Sequence, residues 1–270
     1  MKGKEILWEP GCLQRYIHGL VCFMAILMCG SYISCLPHKS PEGDSVLLPV
    51  GLSGPKPEIR EDRALTISAE RVALTKEYFR LHNEEWYQQI AAREGLDVLS
   101  FEPRLIVVHF TALDSLEETL AYFQPDMIAS DRGLVSASSS LNVGIQFVVD
   151  RDGRIYRSYP ETATSRHVIG LNHVAIGIEN VGSADLGAEG EGVVALTQAQ
   201  LEANVALVRY LAGRYASLEY LIGHSEYREL EDVGHPAHAL FCEDQASYRT
   251  EKNDPGQRFL RSLRKQLHSP

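Results

Sequence analysis

Leu105-Ile106-Val107-Val108-His109-Phe110-Thr111-Ala112 is the stretch on which the reading of this chain turns. Its first four residues are all apolar, with no polar alternation. That is the pattern of a short strand covered on both faces, as in a parallel sheet between layers. The run closes on an imidazole, so His109 projects from the end of a buried strand. Tyr220-Leu221-Ile222-Gly223-His224 repeats the shape, a short apolar run ending in histidine. A third polar group, Asp254, stands before Pro255-Gly256, where a proline at the first helical position makes a carboxylate a natural N-cap. His109, His224 and Asp254 together supply two imidazoles and a carboxylate, a catalytic zinc set. Three protein ligands leave the fourth tetrahedral position to water, as an open hydrolytic site requires.

Outward from these anchors the chain alternates strand and helix signals. Ser115-Leu116-Glu117-Glu118 is a capping box opening a short helix to Phe123. Val143 to Val149 and Arg154 to Ser158 flank the turn sequence Asp150-Arg151-Asp152-Gly153 and form a hairpin. Val174 to Ile178 is a further strand. Thr197-Gln198-Ala199-Gln200 is a second capping box; it starts an amphipathic helix through about Tyr215, with Leu201, Val205, Val208 and Leu211 on one side. Pro255 to Leu267 forms a closing helix. Mixed strands with helices on both faces give an α/β layered domain. Ahead of it, Thr66 to about Ala92 reads as a helical layer whose Trp86 and Tyr87 pack rather than stack on sugar. The long stretch from Glu226 to Thr250 reads as a lid over one side of the cleft. It carries His235 and His238, and Pro236 between them breaks the helical geometry that a second metal site needs.

Composition bounds the possibilities. At 270 residues and 44% hydrophobic, the chain can bury one good-sized catalytic core with an extra N-terminal piece. A net charge of −10 without a Lys/Arg run argues against a nucleic-acid partner. Residues 1–35 read as an export signal, with Lys2, Lys4 and Arg15 ahead of an apolar stretch from Ile17 to Ile33. Its end, Tyr32-Ile33-Ser34-Cys35, resembles a lipoprotein cleavage box, with Tyr where Leu is usual. Lipidation of Cys35 then makes an exported, membrane-anchored lipoprotein of the cell envelope; an uncleaved signal anchor and ordinary cleavage near Ser31 or Ser34 are the alternatives. Residues 36–64, rich in Pro, Gly and Ser, read as a flexible tether. Cys12, Cys22 and Cys29 lie in the signal, so Cys242 is the one cysteine of the domain and no mature disulfide is expected.

Four blocks in order, Val107-Val108-His109-Phe110-Thr111-Ala112, Ala175-Ile176-Gly177-Ile178-Glu179-Asn180, Ile222-Gly223-His224-Ser225-Glu226 and Lys252-Asn253-Asp254-Pro255-Gly256, resemble the zinc-dependent N-acetylmuramoyl-L-alanine amidases of the type-2 amidase and peptidoglycan recognition protein superfamily. The resemblance runs from about Arg104 to Leu267. It implies a mixed central β-sheet flanked by helices on both faces, a zinc amidase domain over 104–270, and a helical extension over 65–103. The implied substrate is peptidoglycan or its muropeptides, cut at the amide between N-acetylmuramic acid and L-alanine, with Zn2+ as cofactor. Glu179 takes the position of a catalytic general base, and Lys252 that of an oxyanion stabiliser beside Asp254. His167 and Asn172, in Arg166-His167-Val168-Ile169-Gly170-Leu171-Asn172, are implied to bind substrate or to hold a turn. Some relatives use a cysteine as third ligand, but Cys242 lacks the surrounding block, which favours Asp254. Relatives often have His where Gln146 stands, a change expected to alter substrate contacts. The competing class is a non-catalytic peptidoglycan recognition module, which typically lacks a zinc ligand; a zinc hydrolase of another amide is a third reading.

Overall fold

The computed structural model describes residues 45–128, 139–182 and 196–269. The expected signal, Cys35 and the first part of the tether lie outside the described residues. A six-stranded mixed sheet forms the centre. Its strands are β1 (Ile59–Arg60), β2 (Leu105–Phe110), β3 (Phe147–Val149), β4 (Ile155–Arg157), β5 (Ala175–Asn180) and β6 (Tyr220–Gly223), in the order β1-β4-β3-β5-β2-β6. β3 and β4 pair antiparallel across the turn at 150–153; the other neighbours run parallel.

The unbroken apolar runs are explained by cover on both faces. Ile106, Val108, Ile176, Ile178 and Leu221 face one layer, where they meet Leu207 and Leu211 of helix α4 (Gln198–Arg214) and Leu260 and Leu263 of helix α5 (Gln257–His268). Leu105, Val107, Ala175 and Ile222 face the other way, against Val168, Leu171, Tyr227 and Leu230. Helix α3 (Leu116–Phe123) covers that second face farther along, with Leu116 and Phe123 against Val148 and Tyr156. Thr197 forms the complete capping box, its Oγ1 accepting from Gln200 N at 3.1 Å and its N donating to Gln200 Oε1 at 2.9 Å, whereas Ser115 makes the N-cap bond alone, its Oγ accepting from Glu118 N at 3.2 Å.

Three expectations need correction. The helical stretch from Thr66 to Ala92 is two helices, α1 (Ala69–His82) and α2 (Glu84–Ile90), because Asn83 leaves helical geometry and caps the second through Oδ1 to Trp86 N at 2.8 Å. The closing helix starts at Gln257, with Gly256 at its N-cap at φ 88°, not at Pro255. Residues from 45 onward, expected to be tether, join the sheet: Leu47 bridges Tyr220 on one edge, and Ile59–Arg60 pairs β4 on the other. An edge strand presents unpaired N–H and C=O groups, and this segment satisfies them on both sides. Among the described residues, no helix is long and apolar enough to cross a membrane.

Candidate active site

The parallel register builds the site. β2 pairs β5 so that His109 faces Glu179 as a Cα partner, and pairs β6 so that Val108 faces Gly223, one residue before His224. Glu179, His109 and His224 therefore form a row across three adjacent strands at their carboxyl ends, the end at which open α/β sheets bind ligands. Period-two alternation puts all three on the face away from α4 and α5. The loop before α5 brings Asp254 to the row. Its position is tied to the histidine turn by Ser225 N donating to Asp254 O at 2.9 Å. Gly223 permits the approach, since a Cβ there meets Leu260 Cδ2 and Pro255 Cδ, each at 2.9 Å. The Asp254-Pro255 peptide is cis.

His109 Nδ1, His224 Nδ1 and Asp254 Oδ2 converge: the two nitrogens are 3.0 Å apart, and the oxygen lies 3.1 and 3.0 Å from them. A tetrahedral zinc at about 2.0–2.1 Å from each donor separates the donors by roughly 3.3 Å, so the triangle and its N, N, O chemistry fit the ion. All three side chains are buried, and they form the one group of three or more potential metal ligands among the described residues. Burial pushes His224 down to about 4, helped by His109 and Lys252 and opposed by Asp254. For Asp254, burial acts to raise the pKa, but the two imidazoles outweigh it and hold the carboxyl well below the usual range. The set therefore presents a neutral imidazole and a carboxylate, the forms that ligate metals. The carboxylate faces the histidines, and no side chain caps α5, which begins at Gln257.

Glu179 is buried beside this triangle. Burial and the Asp254 carboxylate raise its pKa well above the ordinary value, with Lys252 opposing. Lys252 is exposed and lines the cleft together with Tyr78, Arg166, His224, Tyr248 and Thr250. Arg166 is fixed as part of that wall by Nη2 donating to Tyr248 Oη at 3.0 Å.

His167 lies against this triangle, with its Nδ1 3.1 Å from His109 Nε2. Asn172 holds its loop, with Oδ1 accepting from His167 N and Val168 N at 2.9 Å each. Gln146 is fully buried and bridges the sheet to the 163 turn, donating to Ala163 O and accepting from Gly177 N, both at 2.7 Å. The expected effect of Gln146 on substrate contacts is thus corrected to a structural one. Cys242 is half-buried and outside the ligand group, with burial, then nearby carboxylates, pushing its thiol up to about 11. His238 Nδ1 bonds Leu230 O at 2.8 Å, and His235 Nδ1 accepts from Ala237 N at 3.1 Å, so both rings serve their own loop.

Two supporting residues escaped the sequence reading. Glu226 accepts from Gly223 N at 2.9 Å and is held by Arg264 of α5. Arg264 shares the helix face of Leu260, Leu263 and Leu267, and a cation on an apolar stripe is the signal that could have found it.

The family model for N-acetylmuramoyl-L-alanine amidase matches residues 100–257, more than half of the chain. Among solved structures, the endolysin N-acetylmuramoyl-L-alanine amidase LysCS of Clostridium intestinale URNW is 31% identical, over 53% of this chain and 84% of that one, with a TM-score of 0.36. LysC of the same organism is 26% identical, over 52% and 83%, with a TM-score of 0.32. The amidase AmiD of E. coli is 20% identical, over 54% and 57%, with a TM-score of 0.38. No curated protein matches the chain. With the ordered sequence blocks and the buried His-His-Asp triangle, the match over 100–257 makes this chain a member of the N-acetylmuramoyl-L-alanine amidase family, a hydrolase acting on the amide between N-acetylmuramic acid and L-alanine of peptidoglycan.

Proposed function

We propose that this amidase is zinc-dependent, with His109, His224 and Asp254 as the metal ligands, Glu179 as general base and Lys252 as oxyanion stabiliser. The observation that carries the reading is the convergence of three buried donor atoms at 3.0–3.1 Å beside a buried carboxyl group. Zinc bound there supplies a Lewis acid that activates water and polarises the scissile carbonyl. Glu179, register partner of His109, is placed to take a proton from the attacking water and return it to the departing L-alanine nitrogen. Lys252, on the open side of the cleft, faces the developing oxyanion with a fixed positive charge. The presence of all three ligands together with Glu179 and Lys252 favours the enzyme over a recognition module.

The domain boundaries proposed are an export signal over 1–35, a tether from 36 that ends before the residues from 45 onward that join the sheet, a helical extension over 65–103 and the zinc amidase domain over 104–270. Cell-wall chemistry calls for an exported or envelope-associated protein, and lipidation of Cys35 is the proposed anchor. Mass spectrometry of products released from purified sacculi tests the activity: free stem peptides beginning with L-alanine are expected, and products cut within the glycan overturn it. Metal analysis should find about one zinc per chain, lost in His109→Ala and His224→Ala; full occupancy in both variants overturns the ligand set. Cys35→Ala should move the protein from the membrane to the soluble fraction, and unchanged membrane association removes the lipid anchor.

A further inference from the structure

We propose that His167 is a positioning residue for the metal centre, which fixes His109 in the tautomer whose Nδ1 lone pair is free to ligate, and that its ring does not bind substrate. The inference rests on the reading of His109 as a metal ligand.

One carbonyl sets the direction of the whole chain. His167 Nε2 lies 3.3 Å from Ala175 O, which can only accept, so Nε2 carries the proton. In a neutral imidazole the other nitrogen is then bare, and His167 Nδ1 accepts from its neighbour at 3.1 Å, His109 Nε2. The hydrogen of His109 is thereby placed on Nε2, and its Nδ1 is left with a lone pair aimed at the point shared with His224 Nδ1 and Asp254 Oδ2. Metal-bound histidines commonly donate their second ring N–H to such a partner, which fixes both tautomer and ring orientation. Both nitrogens of His167 are occupied within the protein, so neither is left to meet a muropeptide carbonyl.

Space on β5 and the loop of Asn172 set where the ring lies. A Cβ on Gly177 would lie 2.1 Å from Ile145 Cδ1 and 2.9 Å from His167 Nδ1, so it would displace both side chains. The glycine between Ile176 and Ile178 is therefore required for His167 to lie against β5. Behind it, Asn172 fixes the backbone at His167 and Val168, and Asn172 Nδ2 in turn donates to Tyr78 Oη at 3.0 Å. Tyr78 belongs to α1, so the helical extension is part of the support of the metal centre.

The test is zinc affinity, measured by chelator competition on the full chain for the parent, His167→Ala, His167→Asn and His109→Ala, with the absorption spectrum of the Co2+-substituted forms as a second readout. His167→Ala is expected to weaken zinc about 10- to 100-fold and to alter the cobalt spectrum. His167→Asn puts an acceptor oxygen near the position of Nδ1, and it should restore most of the affinity and leave KM for a muropeptide at the parental value. If His167→Ala fails to fold, Tyr78→Phe provides the second arm: it leaves the ring in place, removes the outer bond to Asn172, and should weaken zinc by a smaller factor. Parental zinc affinity in His167→Ala, or in Tyr78→Phe where it is the arm used, overturns the proposal, as does an increase in KM alone. Parental zinc affinity in His109→Ala instead overturns the ligand assignment on which the proposal rests, and is read separately.

Discussion

Arg264 of α5 holds both carboxylate oxygens of Glu226, at 2.9 and 2.6 Å, and the pair is buried directly beyond His224. Glu226 also accepts from Gly223 N, and Arg264 donates to Leu221 O, so a single ion pair fastens the closing helix to the strand end that presents His224. The forked geometry of a guanidinium suits a bidentate carboxylate, and lysine cannot reproduce it.

Removing one partner leaves the other as an uncompensated buried charge. Arg264→Met is therefore expected to cost about 3–5 kcal/mol in denaturant unfolding. Adding Glu226→Gln removes the stranded charge while keeping an acceptor for Gly223 N, so the double variant should be more stable than Arg264→Met alone. A double variant less stable than Arg264→Met contradicts this account.

Cys242 and Asp254 separate the two versions of the third ligand. The thiol is pushed up to about 11, so it stays protonated at neutral pH, whereas the carboxyl of Asp254 is held ionised beside both histidines. Cys242→Ser should leave zinc content and turnover nearly unchanged, and Asp254→Ala should lose both. The reverse pattern in metal analysis moves the third ligand to Cys242.

The parts of this structure legible in the sequence are those fixed by local pattern. Leu105–Val108 and Tyr220–Ile222 are strands because nothing polar interrupts them, and Thr197–Gln200 starts a helix because its cap is satisfied within four residues. What the sequence misplaced depends on partners far along the chain. Asp254 is legible as a ligand by resemblance, and only its cap reading fails once His109 and His224 are beside it; Gln146 looks free until Ala163 and Gly177 occupy both ends of its amide. Residues 45–48 look like tether because their backbone partner, the 219–221 edge, lies some 170 residues on. The resemblance points to His167, but its contact with His109 comes from tertiary packing.

His173 gives a pH signature of folding. Burial lowers its pKa to about 4 from 6.5, and its ring packs near Trp86 with centroids 5.8 Å apart. Between those values the unfolded chain binds a proton that the folded chain refuses, so this residue's contribution is intact above pH 6.5 and is lost as pH falls toward 4. The loss amounts to about 1–3 kcal/mol. Urea unfolding at pH 7 and pH 4.5 should show a smaller acid-induced loss in His173→Gln than in the parent. Equal losses in the two proteins rule out His173 as a source.

Glu179 and Lys252 are expected to act on the reaction rather than on the metal. Glu179→Gln keeps the volume of the side chain and cannot accept the proton of the attacking water; Lys252→Met keeps the stem and removes the charge facing the oxyanion. Each should retain zinc and lose turnover by roughly a hundredfold or more. Their pH profiles should differ. Glu179 must be ionised to work, and burial and Asp254 raise its pKa while Lys252 lowers it. Removing the ammonium therefore raises it further, and the activity left in Lys252→Met should have its acid limb at higher pH than the parent. In Glu179→Gln the part of that limb due to the carboxyl should vanish. Parental turnover in metal-loaded Glu179→Gln takes the general-base role away from Glu179, and an unshifted limb in Lys252→Met shows that the ammonium does not act on the carboxyl group.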